Sequence, residues 1–250
     1  NLILKDDCHL TVPWGINVKE GDTFTIYAQS TAEASMGKLT ACLPELSDHE
    51  KSVWPVAGLS GIGAGVRVWA ANDNYYENEG TIIINGGNIH AKGQQGSSAI
   101  GGSDYDRNVS SDGDTPGNLR QGGSITINGG VVRTEPFALP EGNPLAVDSV
   151  GIGTCQMGYG GSVTINGGTV IAEATCDAIT TGYGGTITIN GGEFSGNRQT
   201  GTAASYSCYG SALSVGSSTS ATLTINGGVF TDNHATVGAT IGALQSVVFN

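Results

Sequence analysis

The stretch "GTITINGGEF" (185–194) decides the fold, because four other segments repeat its middle almost letter for letter. They are "TIIINGGNI" (81–89), "SITINGGVV" (124–132), "SVTINGGTV" (162–170) and "TLTINGGVF" (222–230). The shared asparagines are Asn85, Asn128, Asn166, Asn190 and Asn226, at intervals of 43, 38, 24 and 36 residues. A second element follows each copy: "SSAIGG" (97–102), "DSVGIG" (148–153), "CDAITTG" (176–182), "GSALSVG" (210–216) and, more loosely, "GATIGA" (238–243). Within "TITIN", Ile187 and Ile189 fall on one face and Thr186 and Thr188 on the other, the alternation of a β-strand. β-branched residues suit such a pleated surface. Each unit therefore reads as a strand, an Asn-Gly-Gly corner, a short second strand, and a third strand ending in Gly. A minimal unit of 24 residues matches one coil of a solenoid.

Asn-Gly is also a strong hairpin signal, so a sandwich of hairpins is the competing fold. A hairpin needs a matching antiparallel strand after the turn. Here the following segments "VVRT", "EFSG" and "VFTD" are short and soon reach another corner. Identical corners recurring coil after coil favour stacking in register, with Ile above Ile and the Asn amides bonding along the stack. The expected fold is all-β, a right-handed single-stranded parallel β-helix, right-handed because parallel crossovers are. Residues 1–79 lack Asn-Gly-Gly but keep strand spacing, as in "DTFTIYAQS" and "GKLTACL". They read as the N-terminal coils of a single domain over 1–250, with 80–250 as the Asn-Gly-Gly repeat coils.

Composition narrows the function. A net charge of −12 with only 10 Lys and Arg excludes the clustered basic face that phosphate binding requires. It equally disfavours an anionic membrane surface. No run of about 18 apolar residues predicts a membrane-spanning helix. The opening "NLILKDDCHL" has no Met, basic n-region or cleavage site and reads as a strand already under way. The chain is therefore expected to be a monomeric segment of a longer surface protein. The five cysteines (Cys8, Cys42, Cys155, Cys176 and Cys208) form no zinc spacing. They read either as buried small apolar side chains or as one or two bridges, with Cys8–Cys42 and Cys176–Cys208 singled out. An odd count leaves a thiol free.

"NLILKDDCHLTV", "GINVKEGDTFTIYAQS", "GKLTA" and the repeated "G-x-ITINGG-x-V-x-A … AIGG" resemble a repeat family of bacterial secreted and surface proteins. That family is described as carbohydrate-binding or adhesin-like β-helix proteins. The resemblance spans nearly the whole chain and implies an extracellular or cell-surface location and a glycan or host-surface ligand. Its shared residues are coil corners and core strands, so it is specific for architecture. This chain departs from the simplest pattern in its long insertions.

Insertions in a solenoid map to loops on one side, often the binding face. Asn166 to Ile179 spans 13 residues, whereas Asn128 to Ile152 spans 24 and Asn190 to Leu213 spans 23. The loops "TEPFALPEGNPLAVD" (134–148) and "GNRQTGTAASYSCYG" (196–210) are thus expected as two walls. Glu173, Thr175, Cys176 and Asp177 form the floor between them. Ligand contacts are expected from Phe137, Glu141, Arg198, Tyr206 and Tyr209, because aromatic rings stack on sugar faces without any reaction. Glu135, Asp148, Glu173 and Asp177 are the candidates for the alternative, a polysaccharide hydrolase with paired carboxyl groups. A lyase would need a base and a cation, and Arg198 is the only basic residue nearby. A structural stalk is the second alternative.

A third insertion, "SDYDRNVSSDGDTPGNLRQGG" (103–123), carries Asp104, Asp106, Asn108, Asp112 and Asp114. D-x-D-x-N resembles the start of a Ca²⁺ loop, but Val109 stands where an EF-hand needs Gly and no closing Glu follows. Any Ca²⁺ is expected here. Trp69, Tyr75 and Tyr76, in the polar loop "VWAANDNYYENEG", form a second candidate carbohydrate patch, whereas Trp14 and Trp54 are expected to cap or fill the first coils. His9, His49, His90 and His234 are scattered, with no metal spacing and no nucleophile elbow. "GLSGIGAG" lacks the Gly-Lys-Ser/Thr ending and the helix of a phosphate loop. The preferred reading is a surface module that binds a glycan or host surface through inserted loops.

Overall fold

The structure is a computed structural model. It describes residues 1–41, 60–64, 66–69, 73–76, 78–93, 97–102, 121–136, 149–154, 158–200, 210–216, 220–242 and 247–249. The chain winds as a three-sided parallel β-helix. On each turn it visits sheet A, then B, then C, and every strand pairs with its equivalents on the turns before and after. Seven C strands mark seven complete turns among the described residues, and Val247–Phe249 begins an eighth A strand. One turn serves as the template: Tyr159–Ile165 in A, Thr169–Ala174 in B and Ile179–Thr180 in C.

Register shows why the repeat was written so strictly. Ile84, Ile127, Ile165 and Ile189 are successive partners in sheet A, and all four are fully buried. In sheet C, Ile62, Ile100, Ile152, Ile179 and Leu213 stack in the same way. Each buried Ile contributes about 1.5–3 kcal/mol relative to exposure. A one-residue slip would turn the whole column outward, so the core fixes the register. The A–B corner adds a ladder of exposed amides. Asn128, Asn166, Asn190 and Asn226 each donate Nδ2 to Oδ1 of the previous asparagine at 2.7–2.8 Å.

Glycine is required at two points, the Asn-Gly-Gly corner and, in the turns of Gly63, Gly101 and Gly153, the end of the C strand. The second Gly of the corner has positive φ, for example +88° at Gly168, a conformation costly for a residue with a Cβ. In sheet C, Gly153 (φ +117°) packs so closely on the next turn that a Cβ would overlap the Thr180 carbonyl.

The N-terminal segment belongs to the same three sheets: Leu2–Leu4 pairs Thr23–Ala28, His9–Val12 pairs Lys38–Ala41, and Ile16–Asn17 pairs Ile62–Gly63. Two details differ from the sequence reading. Part of "VWAANDNYYENEG" is an antiparallel hairpin, Val66–Trp69 with Asp73–Tyr76, with Trp69 opposite Asp73 and Tyr75 opposite Arg67. Trp14 is 61% exposed beside the first turn and does not fill the core.

Candidate functional site

From Asn85 onward every A–B corner is the tight Asn-Gly-Gly, so the long connections fall at the B–C and C–A corners that flank sheet C. Residues 137–149 join Val131–Pro136 to Val150–Gly153, and 200–212 join Arg198–Gln199 to Leu213–Ser214. Between these two turns lies the short connection 175–178. Ile152, Ile179 and Leu213 are register partners, so the two insertions leave the same corner on turns that flank a tight one. Both expected loops begin later than the sequence suggested. Thr134–Pro136 complete a B strand, and Arg198–Gln199 pair with Glu173–Ala174. Asn197 and Gln199 are buried scaffold residues, with Asn197 bonded to Ala172 N and the Asn233 amide.

The outer edge of sheet B beside this corner carries a row of charges. Lys92 and Glu135 are register partners joined by an ion pair of 2.8 Å. His90 Nε2 lies 3.2 Å from the other Glu135 oxygen, outside hydrogen-bonding geometry. The hydrogen bond from Lys92 holds the Glu135 carboxyl below the usual carboxylate range; partial burial opposes it, and the charges of His90 and Lys92 reinforce it. On the neighbouring strand, one residue beyond the Thr134–Ala172 pairing, Glu173 faces Arg198 at 3.9 Å. Arg198 in turn pairs in register with His234. Glu135 and Glu173 are thus brought onto adjacent strands. An acidified Glu135 is a poor proton donor, the opposite of what a glycosidase acid needs.

Asp177, expected on an open floor, is fully buried. Its Oδ1 accepts the Ser211 backbone N–H at 2.8 Å and the Ser214 hydroxyl at 3.3 Å. The carboxylate therefore ties one turn to the next from inside, where no polysaccharide reaches it. Cys176 is also fully buried and is disulfide-bonded, to a partner outside the described residues. Its sulfur lies 3.3 Å from Asp177 Oδ2 and, being in a disulfide, has no proton to share. Cys8 is a free thiol, so the Cys8–Cys42 bridge is not formed.

Phe137, Glu141, Asp148, Tyr206 and Tyr209 lie outside the described residues, as do Asp104, Asp106, Asn108, Asp112 and Asp114 of the expected Ca²⁺ loop. For Trp69, Tyr75 and Tyr76 the backbone hairpin is described and the side chains are not. Among the described residues no three His, Cys, Asp or Glu side chains converge as a metal site. A cavity of ≈ 220 Å³ opens off the core near the last turns, lined by Ile179, Phe194, Asn197, Leu213, Phe230 and Ile241.

One titratable group was missed in the sequence. Glu79 is buried at the C–A corner, where Oε2 accepts Gly123 N–H at 3.0 Å and the Thr154 hydroxyl at 3.2 Å. Its Oε1 is buried with no hydrogen-bond partner. Burial pushes the carboxyl up to about 7, against the pull of those two donors. Glycines make room for it: a Cβ at Gly102 would come 3.0 Å from Oε2, and one at Gly123 2.8 Å from the Glu79 Cγ.

No family model, curated protein or solved structure matches the chain.

Proposed function

We propose that this chain is an extracellular, bacterial-type surface module that binds a glycan or host surface along the side of the solenoid bearing sheet C. The observation that carries the reading is the placement of the long connections. From Asn85 onward the A–B edge repeats one hydrogen-bonded corner. The two corners flanking sheet C take connections of up to 20 residues, such as 42–61 and 102–120. Corners that tolerate varied loops on a rigid frame are where recognition is built. The disulfide at Cys176 supports an oxidising, extracytoplasmic compartment.

Binding without chemistry is preferred over hydrolysis because Asp177 is buried and Glu135, its carboxyl held low, does not suit the proton-donor role. The test is a polysaccharide panel scored for retention and for new reducing ends. Retention without new ends is expected. Replacing 137–148 by the short connection 175–178 should weaken retention while the melting temperature holds. New reducing ends, lost in Glu135→Gln or Glu173→Gln, would establish the hydrolase instead.

A further inference from the structure

The C–A corner carries a second column of side chains, one per turn, at or just before the start of the A strand. Sheet register places Gln121 beside Tyr159, and an isolated parallel bridge places Tyr159 beside Tyr183. On the other side, Asn78 Oδ1 accepts the Gln121 backbone N–H at 3.0 Å, and Asn78 Nδ2 donates to Glu20 Oε2 at 2.9 Å. The order along the rod is Glu20, Asn78, Gln121, Tyr159, Tyr183. The three inter-strand steps from Asn78 to Tyr183, of about 4.8 Å each, give a track of roughly 14 Å.

The two rings sit side by side, with centroids 5.7 Å apart and planes tilted by 34°. They are 42% and 37% exposed, and Gln121 is exposed beside them. Next in the chain to Tyr159, a Cβ on Gly160 would meet nothing within 4 Å, so the backbone there faces open space. Buried tyrosines serve packing, whereas this pair leaves apolar ring area in water next to amide groups. That pairing of flat apolar area with hydrogen-bonding amides matches a pyranose, which has one C–H face and a rim of hydroxyls.

We propose that Asn78, Gln121, Tyr159 and Tyr183 form a linear contact track for a neutral polysaccharide, its sugar rings stacking on the two tyrosines and its hydroxyls meeting the amides. Linearity follows from the column itself, which advances one side chain per turn along the solenoid axis. Neutrality follows from charge: the column contains a carboxylate, Glu20, and no lysine or arginine, so a uronate chain would be repelled. The inference rests on the glycan-binding reading and adds the ligand class and the residues.

Affinity electrophoresis tests it with three probes: a mixed-linkage β-glucan, a xylan and polygalacturonate. Retardation by a neutral probe is expected, with polygalacturonate weakest. Tyr159→Ala and Tyr183→Ala should each weaken binding about tenfold, and the double variant should abolish it. Should the alanine variants fail to fold, Tyr159→Gln and Tyr183→Gln place in the column the residue already present at 121 and should lose binding equally. Thermal melts run alongside, because a merely structural pair would lower stability and leave the binding of the folded fraction unchanged. Tyrosine variants that bind as the unsubstituted chain does, or a preference for polygalacturonate, would overturn the track alone. A chain retained by none of the probes overturns the track, and no retention across the wider panel overturns the glycan reading too.

Discussion

The A–B and C–A corners solve the same geometric problem, turning the chain between two sheets, and they solve it in opposite ways. From Asn85 onward the A–B corner uses one residue set five times, with each of the four later asparagines bonded to the one before it. The C–A corner places Glu20, Asn78, Gln121, Tyr159 and Tyr183 at equivalent positions and, one residue on, sets a buried Glu79 level with Gly122. Uniformity marks the corner whose side chains hold each other. Variety marks the corner where the backbone carries the fold and the side chains are released for other work. Two side chains break that division: Asn78 bonds Glu20 and the Gln121 backbone, and Glu79 is the buried, structure-facing exception at the variable corner.

The largest expected effect tests that exception. Glu79 has its carboxyl raised from 4.5 to about 7 by burial. The folded state therefore holds the proton more tightly than the unfolded chain does. Stability is full below pH 4.5 and falls as pH rises through the folded value, by about 3 kcal/mol in all. Glu79→Gln keeps the shape and removes the titration. Melting temperatures of the two proteins should coincide near pH 4, and the variant should melt higher at pH 8. A difference that does not change with pH would mean the carboxyl titrates normally and the corner is looser than described.

Next in size is the ladder. Asn190 donates to Asn166 at 2.8 Å and accepts from Asn226 at 2.7 Å. Asn190→Leu removes both bonds at an exposed position where water partly replaces them, so about 1–2 kcal/mol should be lost in urea unfolding. Glycan retention by the folded variant should be unchanged. A drop in retention at constant stability would place recognition on the uniform corner and reverse the comparison.

This contrast also explains what could be read in advance. The ladder and the core columns were legible because stacking in register demands the same residue at the same place, and repetition is visible in a string of letters. Asp177 was not. Alternation separates inside from outside along a strand, but at the B–C corner it lapses, and only the three-dimensional turn sends that carboxylate to Ser211 and Ser214. Glu79 in "NEG" (78–80) looked like one more solvated acid of an acidic chain, because its burial depends on Gly102 and Gly123, more than twenty residues away. The tyrosine pair did leave a signal. "YGG" occurs at 159–161 and again at 183–185, each time directly before a repeat strand, with "QGG" at 121–123 one turn earlier. Attention to the Asn-Gly-Gly after each strand hid the shorter repeat before it.

The smallest expected effect is also the sharpest test of the comparison. If side chains in the C–A column are free of structural duty, Tyr159→Gln should change stability by no more than about 0.5 kcal/mol, since it puts at one turn what Gln121 already places at the previous one. The backbone there is held independently of the ring: Gly160 N–H donates to the Tyr183 carbonyl at 2.7 Å, and Tyr183 N–H to the Gly158 carbonyl at 2.8 Å. The same exchange should cost most of the affinity for a neutral glycan. A loss above about 1.5 kcal/mol would instead match a ring pair that stabilises the stack in the way the asparagines do. The two corners would then differ in composition but not in role.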